Sequence, residues 1–489
     1  MIPVLLIVIP LVSGLIAFLL KQERAVKAWA LLSAIATLAV SLLGLTVMKQ
    51  ESWLQFNKPW LPYLGSNFHV GMDGMAQVLC LLTAVTFPII FISTWNNSYR
   101  KAHNFFALML LAQAGLMGVF VALDALLFYF FWELALIPVY FLSSQWGGER
   151  RIAATFKFFI YTFLGSLFML IGIIYIYQLT PGKSFDIQAF YNVNIHPEKQ
   201  DWLFWLMLVA FAIKMPIFPF HTWQPDTYEQ SNTATTMVLS AVMVKMGVFG
   251  ILRWLTPVVP HAVYVHGDTT GTFIVIGIVY ASLVAMQQDD LKRLVAYSSI
   301  AHLGLMALAI FVPSNTGVHG VLIQMFNHGI NILGLWIVVE LIERQLGTRK
   351  MSELGGLAQK APSLAVLLVV VALANVALPL TNAFIGEFMM FAGIFTSEAS
   401  PRYHYAFAAV GMIAIILSAV YTLNMIQKVF YGNTSALTAN ALDIRINEKL
   451  VLSAIVVMII AIGVYPAPLL EMTKGAVDAI VSKMILKQP

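Results

Sequence analysis

Apolar runs of bilayer-crossing length recur from one end of this chain to the other. A span needs about 18–20 predominantly apolar residues, and such runs fill most of the 489 positions. About fourteen are predicted, at 2–20, 26–48, 74–95, 104–123, 125–145, 153–178, 202–220, 234–256, 271–288, 291–312, 317–342, 362–396, 405–430 and 449–470. In lipid, backbone polar groups must be satisfied internally, so runs of this kind fold as helices. Only 10% of the residues are charged, against about 25% in a soluble domain. The expected fold is all-α, a polytopic membrane protein with residues 1–489 as one membrane domain. The first run lacks a basic flank and a small-residue cleavage site and reads as a span rather than a leader. Residues 471–487 (EMTKGAVDAIVSKMILK) mix charge and apolar residues at helical spacing and read as an amphipathic tail at the surface.

Basic residues orient the spans. Of the 28 Lys and Arg residues, sixteen fall in one set of alternate loops and six in the other. By the positive-inside rule the richer set is cytoplasmic, which puts both termini outside. The net charge of +5 follows from this loop asymmetry and implies no nucleic-acid partner. The single cysteine, Cys80, leaves no intrachain disulfide and no Cys-based metal cluster. The longest loops, near 49–73 and 179–201, hold no catalytic motif.

Several ionisable residues fall inside predicted spans. The segment LVAFAIKMPIFPFHTWQPD (208–226) carries Lys214, Pro216 and Pro219. A lysine at mid-bilayer costs about 2.5–3.5 kcal/mol on insertion scales. Pro216 and Pro219 deprive the carbonyls of Ala212 and Met215 of their helical donors. Glu133, in FYFFWELALIP, is about eight residues or ~12 Å into its span. Lys245 is central in LSAVMVKMGVFGIL. Glu387 follows a break at Pro379 in LPLTNAFIGE. These acids and bases fit a proton or ion path; structural pairs that lock helices together are the other reading. His302 and His328 lie in consecutive spans between Lys245 and Glu387, and their ordinary titration range suits proton exchange. A hydrogen-bonded core role and haem ligation are the alternatives for them.

The two broken spans, 7 and 12, stand fourth in two five-span units, spans 4–8 (104–256) and 9–13 (271–430). Five is odd, so the second unit enters from the opposite face. Broken helices at matching places are the signature of inverted repeats.

The motifs FWELALIPVYFL, KMPIFPFHTWQPD, VMVKMGVFGILR, QDDLKRLVAYSSIAHLGLM and HGINILGLW resemble the antiporter-like, proton-pumping subunits of respiratory complex I, over essentially the whole chain. The resemblance implies a proton-translocating membrane-arm subunit of a bacterial NADH–quinone oxidoreductase in the inner membrane. Two further antiporter-like subunits would be among its partners. It implies that Glu133 and Lys214 form the glutamate–lysine pair of a first half-channel. Lys245 is then the connecting lysine, His302 and His328 belong to a central hydrophilic axis, and Glu387 is the terminal acid of a second half-channel. Glu387 stands where other branches of the family usually carry lysine, and no long lateral helix follows the last span; both features select one branch. No flavin, nicotinamide, iron–sulfur or metal site is expected in this chain, so flavin, iron–sulfur clusters and quinone belong to partner subunits. Two departures stand out. After HTWQPD the family commonly has a histidine and Ala-Pro-Thr, where this chain has Tyr228 and Ser231-Asn232-Thr233. At the second break it commonly has Pro-Gly, where this chain has Pro379-Leu380. A subunit of a multisubunit cation/proton antiporter, an anchor in a hydrogenase complex and a scaffold with purely structural charges are the alternatives.

Overall fold

The computed structural model describes residues 1–47, 51–397 and 403–485. The basic loop residues Lys49, Arg402 and Lys487 lie outside the described residues. In chain order the helices are α1 Ile2–Ala17, α2 Glu23–Thr46, α3 Gly74–Ser93, α4 Ala102–Val121, α5 Ala125–Trp146, α6 Arg151–Leu179, α7 Pro197–Lys214, α8 Trp223–Gln230, α9 Thr233–Leu255, α10 Pro260–Met286, α11 Leu291–Phe311, α12 Asn315–Leu346, α13 Pro362–Asn375, α14 Asn382–Phe395, α15 His404–Phe430, α16 Ile446–Val464 and α17 Ala467–Ile485. Eleven of them are long and apolar enough to cross a membrane unaided. With α7–α8 and α13–α14 each counted as one interrupted span, α1–α16 make the fourteen crossings expected.

Polar caps and prolines set the helix starts. The carboxylates of Asp73, Asp124 and Asp290 accept backbone N–H groups from the first turns of α3, α5 and α11, which satisfies donors that a helix leaves free. Pro197, Pro260 and Pro362 open α7, α10 and α13, where the missing proline N–H costs nothing. Pro260 also explains why α10 begins well before residue 271. Its polar first turns are held by partners, His266 Nε2 lying 3.0 Å from Asp201 Oδ1.

Two outer elements differ from the sequence expectation. The loop near 49–73 is not featureless: β1 Gln55–Leu61 and β2 Ser66–Gly71 form an antiparallel hairpin. Pro59 hides β1 in the sequence, because proline is confined to strand edges and irregularities, and the register shifts beside it. The second departure is α17. It packs on α3 and α12 and buries Val477, Ile480, Val481 and Met484. Its apolar face is covered by these two helices.

Burial is unequal. The apolar stretches of α9, α11 and α12 are completely buried, whereas those of α2, α6, α15 and α16 are buried over only 33–39% of their length. The three innermost helices carry Lys245, His302 and His328. A membrane protein that keeps its polar side chains off the lipid places them in this way.

A paired device ties the loops. The backbones of Asp124 and Asp186 bridge on one face, with Ala125 N–H bonding Phe185 O at 2.8 Å and Ile187 N–H bonding Leu123 O at 2.9 Å. Those of Asp290 and Lys350 do the same, with Leu291 N–H on Arg349 O at 3.0 Å and Met351 N–H on Asp289 O at 2.8 Å. Each bridge joins the residue that caps the second span of a five-span unit to the loop after its third.

Candidate proton path

Helix α7 stops at Lys214 because Pro216 and Pro219 follow. Of the two carbonyls the prolines free, that of Ala212 accepts the Ile217 N–H at 2.8 Å; the shift leaves Ile213 O without its helical donor, and the Trp223 indole N–H fills it at 2.8 Å. Water is not needed for these two groups. Lys214 is 1% exposed and its Nζ has no hydrogen-bond partner among the described residues. It lies 5.4 Å from the Trp132 ring centroid and 5.8 Å from that of Phe158, close enough for cation–π attraction. Glu133, the neighbour of Trp132, is half-buried with Oε1 unpartnered. Among the described residues no ion pair joins Glu133 to Lys214; the aromatic wall lies beside the ammonium instead.

Lys245 is 0% exposed. It sits between two π-helical turns of α9, Leu239–Met243 and Ile251–Leu255. π-Turns release carbonyls from the ordinary ladder, and Lys245 Nζ takes one, donating to Ser240 O at 2.7 Å. Its second contact is His328 Nδ1 at 2.8 Å. On the far side His328 Nε2 faces Ser299 Oγ at 3.4 Å. The His328 and His302 rings are 5.8 Å apart. His302 Nδ1 reaches Glu387 Oε1 at 3.0 Å, and Gln324 Nε2 donates to the same oxygen at 3.4 Å. Four of the six candidate residues therefore form one buried run, Lys245–His328–His302–Glu387. Among the described residues no hydrogen bond or ion pair joins Lys214 to it, although fully buried Met215 abuts Gly247, whose added Cβ would stand 2.8 Å from Met215 N.

The second break is held from α12. Asn327 Nδ2 donates to Asn382 O at 2.7 Å and Asn331 Nδ2 to Ala374 O at 3.3 Å. Asn375 Nδ2 and the Tyr421 hydroxyl both donate to Ser298 Oγ, at 3.2 and 2.9 Å. Of these residues the sequence reading singled out only Asn382, at the break itself. Gln324, Asn327, His328 and Asn331 recur at three- and four-residue steps, which puts a polar stripe on one face of α12; that periodicity was the available signal. Glu387 also lines a groove of about 590 Å³ that runs beside Ala377, Phe384, Phe391, Phe395 and Thr396. No group of three or more His, Cys, Asp or Glu side chains among the described residues is placed to hold a metal ion.

Residues 122–418, which include every candidate residue, match the family described as NADH:quinone oxidoreductase/Mrp antiporter, transmembrane. The chain belongs to this family. Subunit M proteins are among its relatives. The chain is 36% identical to NADH-quinone oxidoreductase subunit M of Rickettsia bellii over 87% of its own length and 85% of that protein. It is 33% identical to F(420)H(2) dehydrogenase subunit M of Methanosarcina mazei over 99% of both chains. Its fold matches a chain of respiratory complex I from Thermus thermophilus with a TM-score of 0.88, 27% identity and coverage of 98% and 100%. A chain of the Mrp complex from Dietzia shares the fold at a TM-score of 0.85 and 18% identity.

Both departures from the family pattern have local solutions. Asn232 replaces a proline start by capping α9, its Oδ1 accepting Ala234 N–H at 3.0 Å. Leu378–Thr381 is a turn closed by Thr381 N–H on Leu378 O at 3.0 Å, with Leu380 at φ +75°. That is the turn position that favours glycine. The backbone there is pinned by Gly463, whose added Cβ would lie 2.2 Å from Leu380 O.

Proposed function

We propose that this chain is a proton-translocating membrane-arm subunit of a redox-driven NADH–quinone oxidoreductase, seated in the bacterial inner membrane beside further antiporter-like subunits. The run Lys245–His328–His302–Glu387 through the buried centre carries the reading. Burying four ionisable groups in line is costly, and a scaffold could lock the same helices with apolar packing. Lys214 and Glu133 are the loading end, set in the first unit, 104–256. Glu387 is the unloading end, in the second unit, 271–430. The two loop bridges, Asp124–Asp186 and Asp290–Lys350, recur at matching places in these units and support an inverted repeat. With the positive-inside orientation, α14 runs from the break toward the outside, which favours release there.

Protonation of one site favours loss of the proton from its neighbour, because two adjacent buried charges of one sign repel. Moving a charge against about 100 mV takes ~2.3 kcal/mol, less than two pKa units at ~1.36 kcal/mol each. Electron transfer belongs to partner subunits, and this chain's part is to hold and pass protons. The test is purification through a tag on this chain, followed by proton uptake by reconstituted vesicles. Co-purification with a redox module and loss of uptake with Lys245→Ala would support the reading. Undiminished uptake with Lys245→Ala in an assembled complex would refute it.

A further inference from the structure

Helix α8 has two dissimilar polar faces. Asp226 and Glu229 point into an ion-pair cluster with Lys157 (2.7 Å to Asp226), Arg293 (3.3 and 2.8 Å) and Arg349 (3.3 Å to Glu229). Beside it lies a cavity of about 230 Å³, lined by Arg150, Lys157, Asp226, Glu229 and Arg293 among others. Positive-inside orientation puts this cavity on the cytoplasmic side. The opposite face carries Gln224 and Tyr228, one turn apart and both fully buried. Among the described residues neither amide atom of Gln224 has a hydrogen-bond partner, and neither does the Tyr228 hydroxyl. Three buried polar atoms without partners on one short helix are unusual, since buried polar atoms are nearly always satisfied by protein or by ordered water.

These orphaned groups lead toward another. Tyr228 packs on Trp223, at 6.4 Å between ring centroids, and Trp223 on Phe158 at 5.0 Å. Phe158 is one of the two rings under Lys214, whose Nζ is likewise unpartnered. The Trp223 indole is tied to the Ile213 carbonyl next to Lys214, which fixes α8 against the end of α7. An ordered water needs two to four polar partners; Gln224 and Tyr228 offer three polar atoms one turn apart, and the Trp223 and Phe158 rings link them to Lys214.

We propose that the Gln224–Tyr228 face of α8 is the inner port that delivers protons to Lys214, with the Tyr228 hydroxyl as relay. The hydroxyl oxygen accepts the excess proton of one water as its own proton passes to a second water held by Gln224. No net charge stays on the ring. Gln224 orients that water through its amide. The inference rests on Lys214 being a loading site, as proposed above.

The test uses the assembled complex in sealed membrane vesicles, reading the proton-to-electron ratio and redox turnover with and without an uncoupler. Tyr228→Phe keeps the ring and its packing and removes only the oxygen. Coupled proton transport at least fivefold lower, with normal assembly, is expected. Tyr228→His restores an exchangeable proton at that place and should recover at least half of the lost transport, which a packing role would not produce. Gln224→Met keeps the volume and should act like Tyr228→Phe; it decides the matter if Tyr228→Phe does not assemble. Wild-type ratios in assembled Tyr228→Phe, or in Gln224→Met if Tyr228→Phe is lost, would overturn the port. Glu133→Gln is measured alongside. Its loss of transport beside a normal Tyr228→Phe removes the port alone, whereas normal transport in Glu133→Gln removes the loading site itself.

Discussion

Lys245 Nζ lies 2.8 Å from His328 Nδ1, both in the fully buried centre of the protein. That contact holds one proton. With the lysine charged, Nδ1 accepts and the histidine proton sits on Nε2, facing Ser299. With the proton on Nδ1, the lysine must be the neutral acceptor. Two protons there would set two cations against each other with no water between them.

Lys245→Arg is therefore expected to fail despite keeping the positive charge. A guanidinium stays protonated at any working pH, so the shared proton can no longer change sides. Coupled transport should drop at least tenfold while the complex still assembles. An arginine variant that pumps like wild type would mean that fixed charge suffices at this position.

At the second break, Leu380 holds a left-handed conformation that costs a non-glycine residue about 1–2 kcal/mol. Its side chain is 70% exposed, so little packing is lost on removing it. Leu380→Gly should stabilise the purified protein by about 1 kcal/mol. Gly463→Ala should destabilise it by about 1–3 kcal/mol, because the new Cβ meets the Leu380 carbonyl. Thermal unfolding in detergent reads both signs; equal stability of the two variants would contradict the turn geometry.

The outer hairpin is tied down by His69 Nδ1, 2.7 Å from Asp186 Oδ2. Burial by itself would raise the Asp186 pKa. The His69 hydrogen bond, the Gln188 backbone N–H and the His69 charge together outweigh it and hold the carboxyl below its ordinary value. A depressed folded pKa adds stability above the unfolded value, about 3.9 for Asp, and that stability is lost as pH falls through the folded value. Hydrogen exchange of residues 55–71, corrected for intrinsic rates, should be slow at pH 7 and accelerate only in acid below the ordinary carboxylate range. Asp186→Asn should exchange fast at pH 7 as well.

The number of crossings and both helix breaks were legible in the sequence because each rests on a local signal, an apolar run or a proline. Lys245, His302, His328 and Glu387 were legible as charges where lipid forbids them. What the sequence could not convey was contact. Nothing in it separates Lys214 from the run that begins at Lys245, since the Met215–Gly247 approach is tertiary. The π-turns beside Lys245 have no residue signature, and β1 is masked by Pro59. For the tail, an amphipathic pattern gives the apolar face but not what packs on it; α3 and α12 do.

The central claim is that protons pass through the buried side chains of this chain, and Glu387 tests it at the end of the run. The proton-to-electron ratio of the assembled complex is measured with wild-type chain, with Glu387→Gln and with Glu387→Lys. Glutamine keeps the hydrogen bonding to His302 and Gln324 but cannot be charged, so the ratio should fall sharply; lysine, which titrates, should recover part of it. A wild-type ratio with Glu387→Gln would contradict the account and leave Glu387 as a structural partner of His302.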